Sequence, residues 1–429
     1  MTRRRVVITG MGTVNPLGHD VESTWSAMLA CKSGISATGL FDAGTYPSTF
    51  SAQVRDYDMA AQVPQAHRHR HAGRHCTFAL GAAVQAWRQS GLERCDRLDR
   101  SRLGIYLGSG EGSLDFDNFT SLLVDAWRGT KVDTRVWARL AFQRMDLYRE
   151  MEQESNMVVA HLAAEFGVRG PAFNVLTACA ASTQAIGEAT MQIRRGDADA
   201  IITGGAHSMI HPYGVTGFNR LTALSTRNDC IATASRPFDM TRDGFVLGEG
   251  ASILILEDYA LARSRGAKVL AEVIGYGASA DAFRITDQDP QGAGAAASMR
   301  SALADAGLTP ADVHYINAHG TATKQNDQVE TRAVKAVFGE YARKIPISSI
   351  KSMLGHLIAA AGATELITCV LALRDQILPP TINYSVPDPD CDLDYVPNAP
   401  RKANVRVCMS NSFGFGGQNN TVIIRSVND

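Results

Sequence analysis

The chain has 429 residues, more than one simple core holds, so we expect two domains or two fused halves. With 45% hydrophobic residues, 20% charged residues and a net charge of -1, it has the balance of a globular protein and no overall field favouring nucleic acid or membrane. The eight cysteines include no CxxC pair, which indicates reduced thiols rather than a disulfide framework or a zinc site.

No apolar run reaches the roughly 18 residues that a membrane span needs. The run Val6–Ile8 after the N-terminal arginines is too short for a signal peptide. We therefore expect a cytoplasmic protein without a membrane span.

The first predicted strand, Val6–Thr9, ends at Gly10 and Gly12. The next glycine is Gly18, so the GxGxxG pattern of dinucleotide-binding folds is not met. The later glycine cluster at 108–112 fails for the same reason.

A basic tract follows, with alternating histidine and arginine from His67 to His71 and then Arg74 and His75. Alternating histidines raise the question of a metal site, but no acid or thiol in the tract's sequence completes a ligand set. The composition favours a solvated basic face, and if the face is functional, an acidic partner protein is the expected ligand.

The order of predicted elements repeats. The Ala-rich helix Cys76–Gly91 precedes the strand Leu103–Gly108, and later the helix Ala295–Ala306 precedes the strand Val313–Ala318. This repeat predicts an internal duplication of α/β halves, 1–257 and 258–429, with the boundary near the charged stretch 257–268. A segment at about 113–155 has helical spacing and is predicted to cover a site or a subunit contact.

Cys179 lies between a β-prone run, 172–176, and a predicted helix, Thr183–Arg195. Free N–H groups at a helix N-terminus stabilise a thiolate, so this position predicts a lowered thiol pKa and a nucleophile. A buried, inert thiol is the alternative interpretation of any single cysteine.

Three later stretches carry polar residues that a core would not favour. Each has an ordinary structural interpretation when taken alone, as a hydrogen-bonded histidine, a surface lysine or a glycine turn. The stretches are 317–323 with His319, 348–356 with Lys351 and His356 ahead of a long apolar helix (357–373), and the glycine loop 409–419 between two strands.

Taken together, Cys179, His319, Lys351 and His356 in their motifs resemble the β-ketoacyl-acyl carrier protein synthases of the thiolase-like superfamily. The resemblance covers essentially the whole chain, from Arg5–Gly10 to Asn411–Gly417, and is nearest to the elongating type II condensing enzymes. It implies a duplicated five-layered α-β-α-β-α sandwich, a homodimer, and an acyl carrier protein as partner. No tightly bound cofactor or required metal is implied, because the substrates travel on the carrier's phosphopantetheine.

The resemblance also implies roles for individual residues. Cys179 would hold the acyl chain as a thioester, and the backbone N–H groups of Cys179 and Phe415 would form an oxyanion hole. His319 and His356 would stabilise the enolate formed when malonyl thioester loses CO₂, and Lys351 would supply positive charge and orient His356 and its neighbours. The substrate-binding set is Thr321, Thr323, Phe413, Phe415 and Gly416, the carrier-docking set is Arg68, Arg70 and Arg74, and the set for a monovalent cation is Asn317, Ala318, Glu365, Ser410 and Asn411.

Three departures from the family pattern stand out: the long 113–155 segment, Gln418 after the glycine loop where Thr or His is usual, and the histidines around the docking arginines. Two alternatives to a fatty-acid synthase remain. A ketosynthase or chain-length subunit of a type II polyketide or other secondary-metabolite pathway is the first, although a silent subunit usually lacks the cysteine. A degradative thiolase is the second, and it would need a second catalytic cysteine in a Cys-Gly-Gly motif, which the chain lacks.

Overall fold

A computed structural model describes residues 3–96, 98–284 and 287–427. The chain alternates strands and helices throughout. The strands are β1 Val6–Val14, β2 Ser36–Ala37, β3 Phe50–Ser51, β4 Leu103–Ser109, β5 Ala172–Val175, β6 Ala200–His207, β7 Gly250–Asp258, β8 Ala271–Ala280, β9 Tyr315–Asn317, β10 Ile347–Ser348, β11 Ile377–Leu378, β12 Arg401–Lys402, β13 Val407–Phe413 and β14 Gln418–Arg425. The helices are α1 Val21–Leu29, α2 Arg74–Ser90, α3 Phe116–Asp125, α4 Thr134–Arg144, α5 Leu147–Met151, α6 Met157–Phe166, α7 Ala181–Arg195, α8 Pro212–Arg220, α9 Tyr259–Ser264, α10 Ala293–Ala306, α11 Lys324–Phe338, α12 Lys351–Leu354 and α13 Ala361–Asp375.

Ten of the strands form one sheet in the order β10-β9-β13-β14-β8-β1-β7-β6-β4-β5. Its two halves have the same plan. In the first, β4 runs parallel to β5 and β6 while β7 is antiparallel to β6 and β1. In the second, β9 is parallel to β10 and β13 while β14 is antiparallel to β13 and β8. This repeat of order and direction confirms the predicted duplication, and three residue pairs between β1 and β8 join the halves.

The burial of the helices shows which layer of the fold each one belongs to. α13 is buried from Ala361 to Leu373, as expected for a helix packed between other layers, and it contacts α7 and strands of both halves. α2 and α6 cover the outer face of the first half, and α10 and α11 cover that of the second. The arrangement confirms the predicted layered α/β fold.

Gly10 and Gly12, which fail as a nucleotide motif, serve helix packing instead. A Cβ built on Gly12 would lie 2.1 Å from the Ala82 carbonyl oxygen of α2, and one on Gly10 would lie 2.0 Å from that of Ala86. Only glycine therefore lets α2 lie this close to β1.

The 113–155 segment forms three helices, α3, α4 and α5, as its spacing predicts. Large apolar side chains on this segment are exposed, among them Phe142 (96% exposed), Leu147 and Trp127. Beside it the edge strand β5 pairs with β4 and leaves Phe173 half exposed. Within the described ranges, no helix combines the length and the apolar character needed to cross a bilayer.

Candidate active site

Cys179 lies in a 3-10 turn, Ala178–Ala180, between β5 and α7. The turn is tight: Ala178 has a φ of 46°, a left-handed conformation that alanine rarely adopts. Two hydroxyls fix α7 against the second half. Ser182 Oγ accepts a hydrogen bond from Ala363 N (3.0 Å), and Thr183 Oγ1 lies 2.7 Å from Ser412 Oγ. The turn thus places the thiol where the two halves meet.

His319 and His356 converge on this thiol. The Cys179 sulfur and one ring nitrogen of each histidine lie within 4.8 Å of one another, and the two ring centroids are 5.4 Å apart. The loop after β9 is held by Glu330, whose carboxylate accepts from the backbone N–H groups of His319 and Gly320 at 2.8 Å each. His356 is anchored through its backbone N–H to the Val246 carbonyl at 2.7 Å.

Hydrogen bonding fixes the tautomer of both rings. His356 Nδ1 accepts from Ile358 N (3.2 Å), so the proton is on Nε2, which is buried without a partner in the described structure. His319 Nδ1 lies 3.4 Å from Lys351 Nζ, which donates to it and so also leaves Nε2 protonated. Burial, with the Lys351 charge second, holds the pKa of both imidazoles well below its usual range. Both rings are therefore neutral donors.

Lys351 is buried among three acceptors. Its Nζ donates to the His319 carbonyl at 2.5 Å and is ion-paired with Glu365. Burial raises the pKa of the Glu365 carboxyl, and the Lys351 charge opposes that rise. The ammonium group therefore fixes both the backbone and the ring of His319.

The predicted low pKa of Cys179 is wrong for the free protein. Cys179 is 4% exposed, and burial raises its thiol pKa to about 11. Three groups lower this pKa, but by less than burial raises it. They are the backbone N–H groups of Phe415 and of Cys179 itself and the charge of Lys351. Desolvation by residues distant in sequence, invisible in the local motif, outweighs the helix terminus.

The raised pKa predicts how Cys179 reacts with alkylating agents. Because the thiolate is the nucleophile, we expect the alkylation rate of Cys179 by iodoacetamide to rise about tenfold per pH unit from pH 7 to 10. The exposed Cys230 of the same protein, followed in the same samples, checks that the reagent remains active at every pH. Peptide mass spectrometry measures both, and a plateau for Cys179 below pH 8 would contradict the raised pKa.

A cleft between the two halves leads to the thiol, and both histidines line it with Cys179. Of the predicted substrate-binding residues, Thr321, Thr323, Phe413 and Phe415 line it, and the two threonine hydroxyls lie 2.9 Å apart. Gly416 adjoins it with a φ of 90°, in the left-handed region that glycine favours. A Cβ there would lie 2.7 Å from Gln418 Oε1, so Gln418 folds back onto the glycine loop.

Several residues of the site give no signal in the sequence. Glu330, the anchor of the His319 loop, is buried in α11, and burial raises its pKa to about 7. An acid within a charged helix gives no signal that it faces inward. The other lining residues that the motifs did not indicate are Phe245, Gln288, Gln325 and Asn326.

Three of the five predicted cation residues carry unsatisfied oxygens, and one of these three, Glu365, is ion-paired with Lys351. Asn317 Oδ1, Glu365 Oε2 and Ser410 Oγ are buried without a hydrogen-bond partner among the described residues. The side chain of Asn411 differs, because its Oδ1 accepts from Thr421 Oγ1 at 3.0 Å. Three oxygen acceptors suit a hard monovalent cation or water.

The basic tract differs from the predicted solvated face. Arg68 and Arg70 are exposed, but His69 and His75 are buried. Arg74, predicted to face the carrier, instead donates to Glu249 at 2.6 and 2.8 Å and to the Val54 carbonyl. Its guanidinium neutralises a buried carboxylate, so it is not a free docking charge.

Comparisons with known proteins agree with this geometry. Residues 3–262 match the family described as Beta-ketoacyl synthase, N-terminal domain, and residues 270–385 match Beta-ketoacyl synthase, C-terminal domain. The chain is 42% identical to 3-oxoacyl-[acyl-carrier-protein] synthase 2 of Coxiella burnetii and 40% identical to that of Vibrio harveyi, with 100% of each chain covered.

Solved structures give the same result. A beta-ketoacyl synthase from Burkholderia phymatum STM815 superposes with a TM-score of 0.88 at 31% identity, over 99% of this chain and 100% of that one. The AntDE:AntF complex, a type II PKS acyl-carrier protein with its ketosynthase bound to the hexaketide, gives 0.87 at 34% identity over 100% of both chains. From its site, its fold and these matches, the chain belongs to the beta-ketoacyl synthase family.

Proposed function

We propose that the protein is a 3-oxoacyl-[acyl-carrier-protein] synthase that extends a Cys179-bound acyl chain with malonyl thioester. The observation that carries this proposal is the convergence of one thiol and two neutral imidazoles at the end of a cleft. A thiol alone would suit many acyl transfers, but two ring donors beside it suit a reaction in which an enolate develops.

In the first half-reaction, Cys179 Sγ bonds to the acyl carbon, the carrier's sulfur leaves, and the thiol proton passes to that sulfur. Because the free thiol has a raised pKa, the proton must leave as the carbon–sulfur bond forms. The backbone N–H groups of Cys179 and Phe415, both close to the sulfur, support the oxyanion hole, in which one donor is worth about 10²–10³ in rate.

In the second half-reaction, malonyl thioester loses CO₂ and its electron pair becomes an enolate. His319 and His356 donate from Nε2 to the enolate oxygen, and Lys351 holds His319 in position. The C2 carbon then attacks the acyl carbon, Cys179 sulfur leaves and takes up a proton, and 3-oxoacyl thioester is released. Thr321 and Thr323 would bind the pantetheine arm, and Phe415, next to Gly416, would gate the cleft.

Incubation of the purified protein with acyl carrier thioester and malonyl carrier thioester tests this function. We expect a product extended by two carbons, with one CO₂ released per condensation. Hydrolysis of the acyl thioester without chain extension would overturn it. Carriers with acyl chains of graded length would distinguish a fatty-acid enzyme from the ketosynthase of a type II polyketide pathway, which the AntDE:AntF likeness keeps as the second candidate.

The family and the structure support further proposals about partners. The exposed apolar residues of α4 and α5 and the open edge of β5 suit the predicted homodimer. The orphaned oxygens of Asn317, Glu365 and Ser410 suit the predicted monovalent cation. Ala318 and Asn411, the other two predicted residues, directly follow Asn317 and Ser410 in the chain. We propose that residues 1–257 and 258–429 are the two halves of the duplicated fold.

Arg68 and Arg70 are proposed to contact the acidic surface of the carrier protein. Reversing both charges, Arg68→Glu with Arg70→Glu, should raise KM for the carrier-bound substrate about tenfold and leave turnover of a pantetheine thioester unchanged. The difference should shrink at high salt. Arg263→Glu is the control, because Arg263 is an exposed arginine on α9, outside the basic tract. An equal rise in KM for this variant would contradict the assignment.

A further inference from the structure

A second cluster of metal-ligating side chains lies outside the catalytic site. Among the described residues, the ligand atoms of Cys76, Glu152 and His161 are within 4.8 Å of one another. Cys76 belongs to α2, Glu152 follows α5, and His161 belongs to α6. Three elements separated in sequence therefore bring a thiol, a carboxylate and an imidazole close together. Helix packing alone does not require these three polar groups to meet.

A chain of hydrogen bonds continues behind His161. Its Nε2 lies 2.8 Å from Glu152 Oε1, and its Nδ1 lies 2.9 Å from His69 Nδ1. His69 Nε2 in turn lies 3.0 Å from Glu165 Oε2. The row runs carboxylate, imidazole, imidazole, carboxylate, and all four side chains are buried or nearly so.

The row holds the His161 ring at both of its nitrogen atoms. Nδ1 faces His69, which is itself held by Glu165. Nε2 faces the Glu152 carboxylate, whose other oxygen lies near the Cys76 sulfur. The ring is therefore fixed with Nε2 directed towards the contact between His161 and Glu152.

The Cys76 sulfur lies beside that last contact, 3.7 Å from Glu152 Oε2 and 3.4 Å from His75 Nε2. Zinc bonds of about 2.0 Å to nitrogen or oxygen and about 2.3 Å to sulfur place tetrahedral ligand atoms roughly 3.3–3.6 Å apart. The His161–Glu152 contact of 2.8 Å and the Cys76–Glu152 contact of 3.7 Å lie on either side of this range, and the sulfur and the His161 ring nitrogen are within 4.8 Å. Side-chain movements would therefore bring the three groups around one ion. Glu165 and His69 would then support His161 as outer-sphere partners that fix the tautomer of a liganding histidine.

We propose that Cys76, Glu152 and His161 bind one zinc-like divalent transition-metal ion, with water as fourth ligand. Thiolate, imidazole and carboxylate form the donor set that such ions prefer in proteins. The absence of CxxC spacing, which argued against a zinc site in the sequence, does not bear on a site assembled from three elements. His161 is 12% exposed, which gives the ion a path from solvent.

The position of the site gives it a structural role in the proposed function. The tract that carries Arg68 and Arg70 is attached to this row at two points. His69, between the two arginines, contacts His161, and Gly73 N donates to Glu152 Oε2 at 2.9 Å. Bound metal would therefore hold the proposed docking tract against α5 and α6. The proposal does not depend on the docking role, because metal binding is measured directly.

Cobalt(II) titration of the full chain, stripped of metal by a chelator, tests the proposal. We expect about one cobalt per chain, with visible bands of a tetrahedral ion and a thiolate-to-cobalt band in the near ultraviolet. The catalytic Cys179, His319 and His356 form the other group close enough to bind a metal among the described residues, so the titration is repeated in Cys179→Ala. The spectrum should persist there and disappear in Cys76→Ala.

Two further variants strengthen the test. Glu165→Gln, which weakens the outer partner without removing a ligand, should reduce cobalt affinity about tenfold. Cys230→Ala, at an exposed thiol, should leave it unchanged. Circular dichroism confirms that each variant is folded. Absence of a thiolate band at millimolar cobalt, or its loss in Cys179→Ala with retention in Cys76→Ala, overturns the site without affecting the proposed condensation.

Discussion

Replacing Cys179 by alanine is expected to abolish the covalent acyl-enzyme and to lower the condensation rate by about 10⁴-fold or more. The buried thiol is the sulfur that the cleft reaches, and alanine keeps the small volume required by the tight turn. Intact-mass spectrometry after incubation with acyl carrier thioester measures the adduct. Cys230→Ala should acylate normally, and an adduct found on any other cysteine would refute the assignment.

The two half-reactions should separate in a second variant at the same position. Cys179→Gln removes the nucleophile but leaves His319 and His356 in place, so decarboxylation of malonyl thioester should continue and CO₂ should be released without condensation. His319→Ala in that background should stop it, because one of two enolate donors is lost. Unchanged CO₂ release in the double variant would contradict the division of labour between thiol and imidazoles.

Lys351→Met is expected to destabilise the protein by about 3 kcal/mol at neutral pH. Lys351 and Glu365 form a buried ion pair, and removal of the ammonium leaves a carboxylate without a counter-charge. Because burial already raises the folded-state pKa of Glu365, the variant's carboxyl takes up a proton as the pH falls. The deficit should therefore be largest above that pKa and diminish towards acid, which urea unfolding at pH 5 and pH 8 would show.

The double variant Lys351→Met with Glu365→Gln supplies the control. It removes both charges, so most of the lost stability should return. Arg343→Met, at an exposed pair with Asp392, should cost less than about 1 kcal/mol at either pH. A deficit for Lys351→Met that is the same at both pH values, or that persists in the double variant, would show that packing rather than charge is responsible.

The parts predictable from sequence are those whose signal is local. Alternation of apolar runs with Ala-rich helical segments was sufficient for α2, α7, α10 and the strands β4 and β9, because periodicity depends on near neighbours. Cys179, His319, Lys351 and His356 stand in motifs whose residue types fit one chemistry. The structure brings all four to the same site, as the motifs predict.

The parts that were missed depend on contacts between distant residues. The thiol pKa of Cys179 reflects burial by surrounding elements that the motif does not contain. The contact between His69 and His161 joins positions 92 residues apart, so the basic tract gave no indication of a buried row. Arg74 likewise looked like a surface charge because its partner, Glu249, lies 175 residues away.

The repeated strand plan has a consequence for where variation is tolerated. The sulfur comes from one repeat and the imidazoles from the other. The distance between these reacting groups is therefore kept only while α7 and α13 remain packed against each other. Displacements near 1 Å are enough to cost on the order of 100-fold in rate. Substitutions of Ser182, Thr183 or Gly362, which do not line the cleft, should therefore lower the rate of catalysis through this displacement alone.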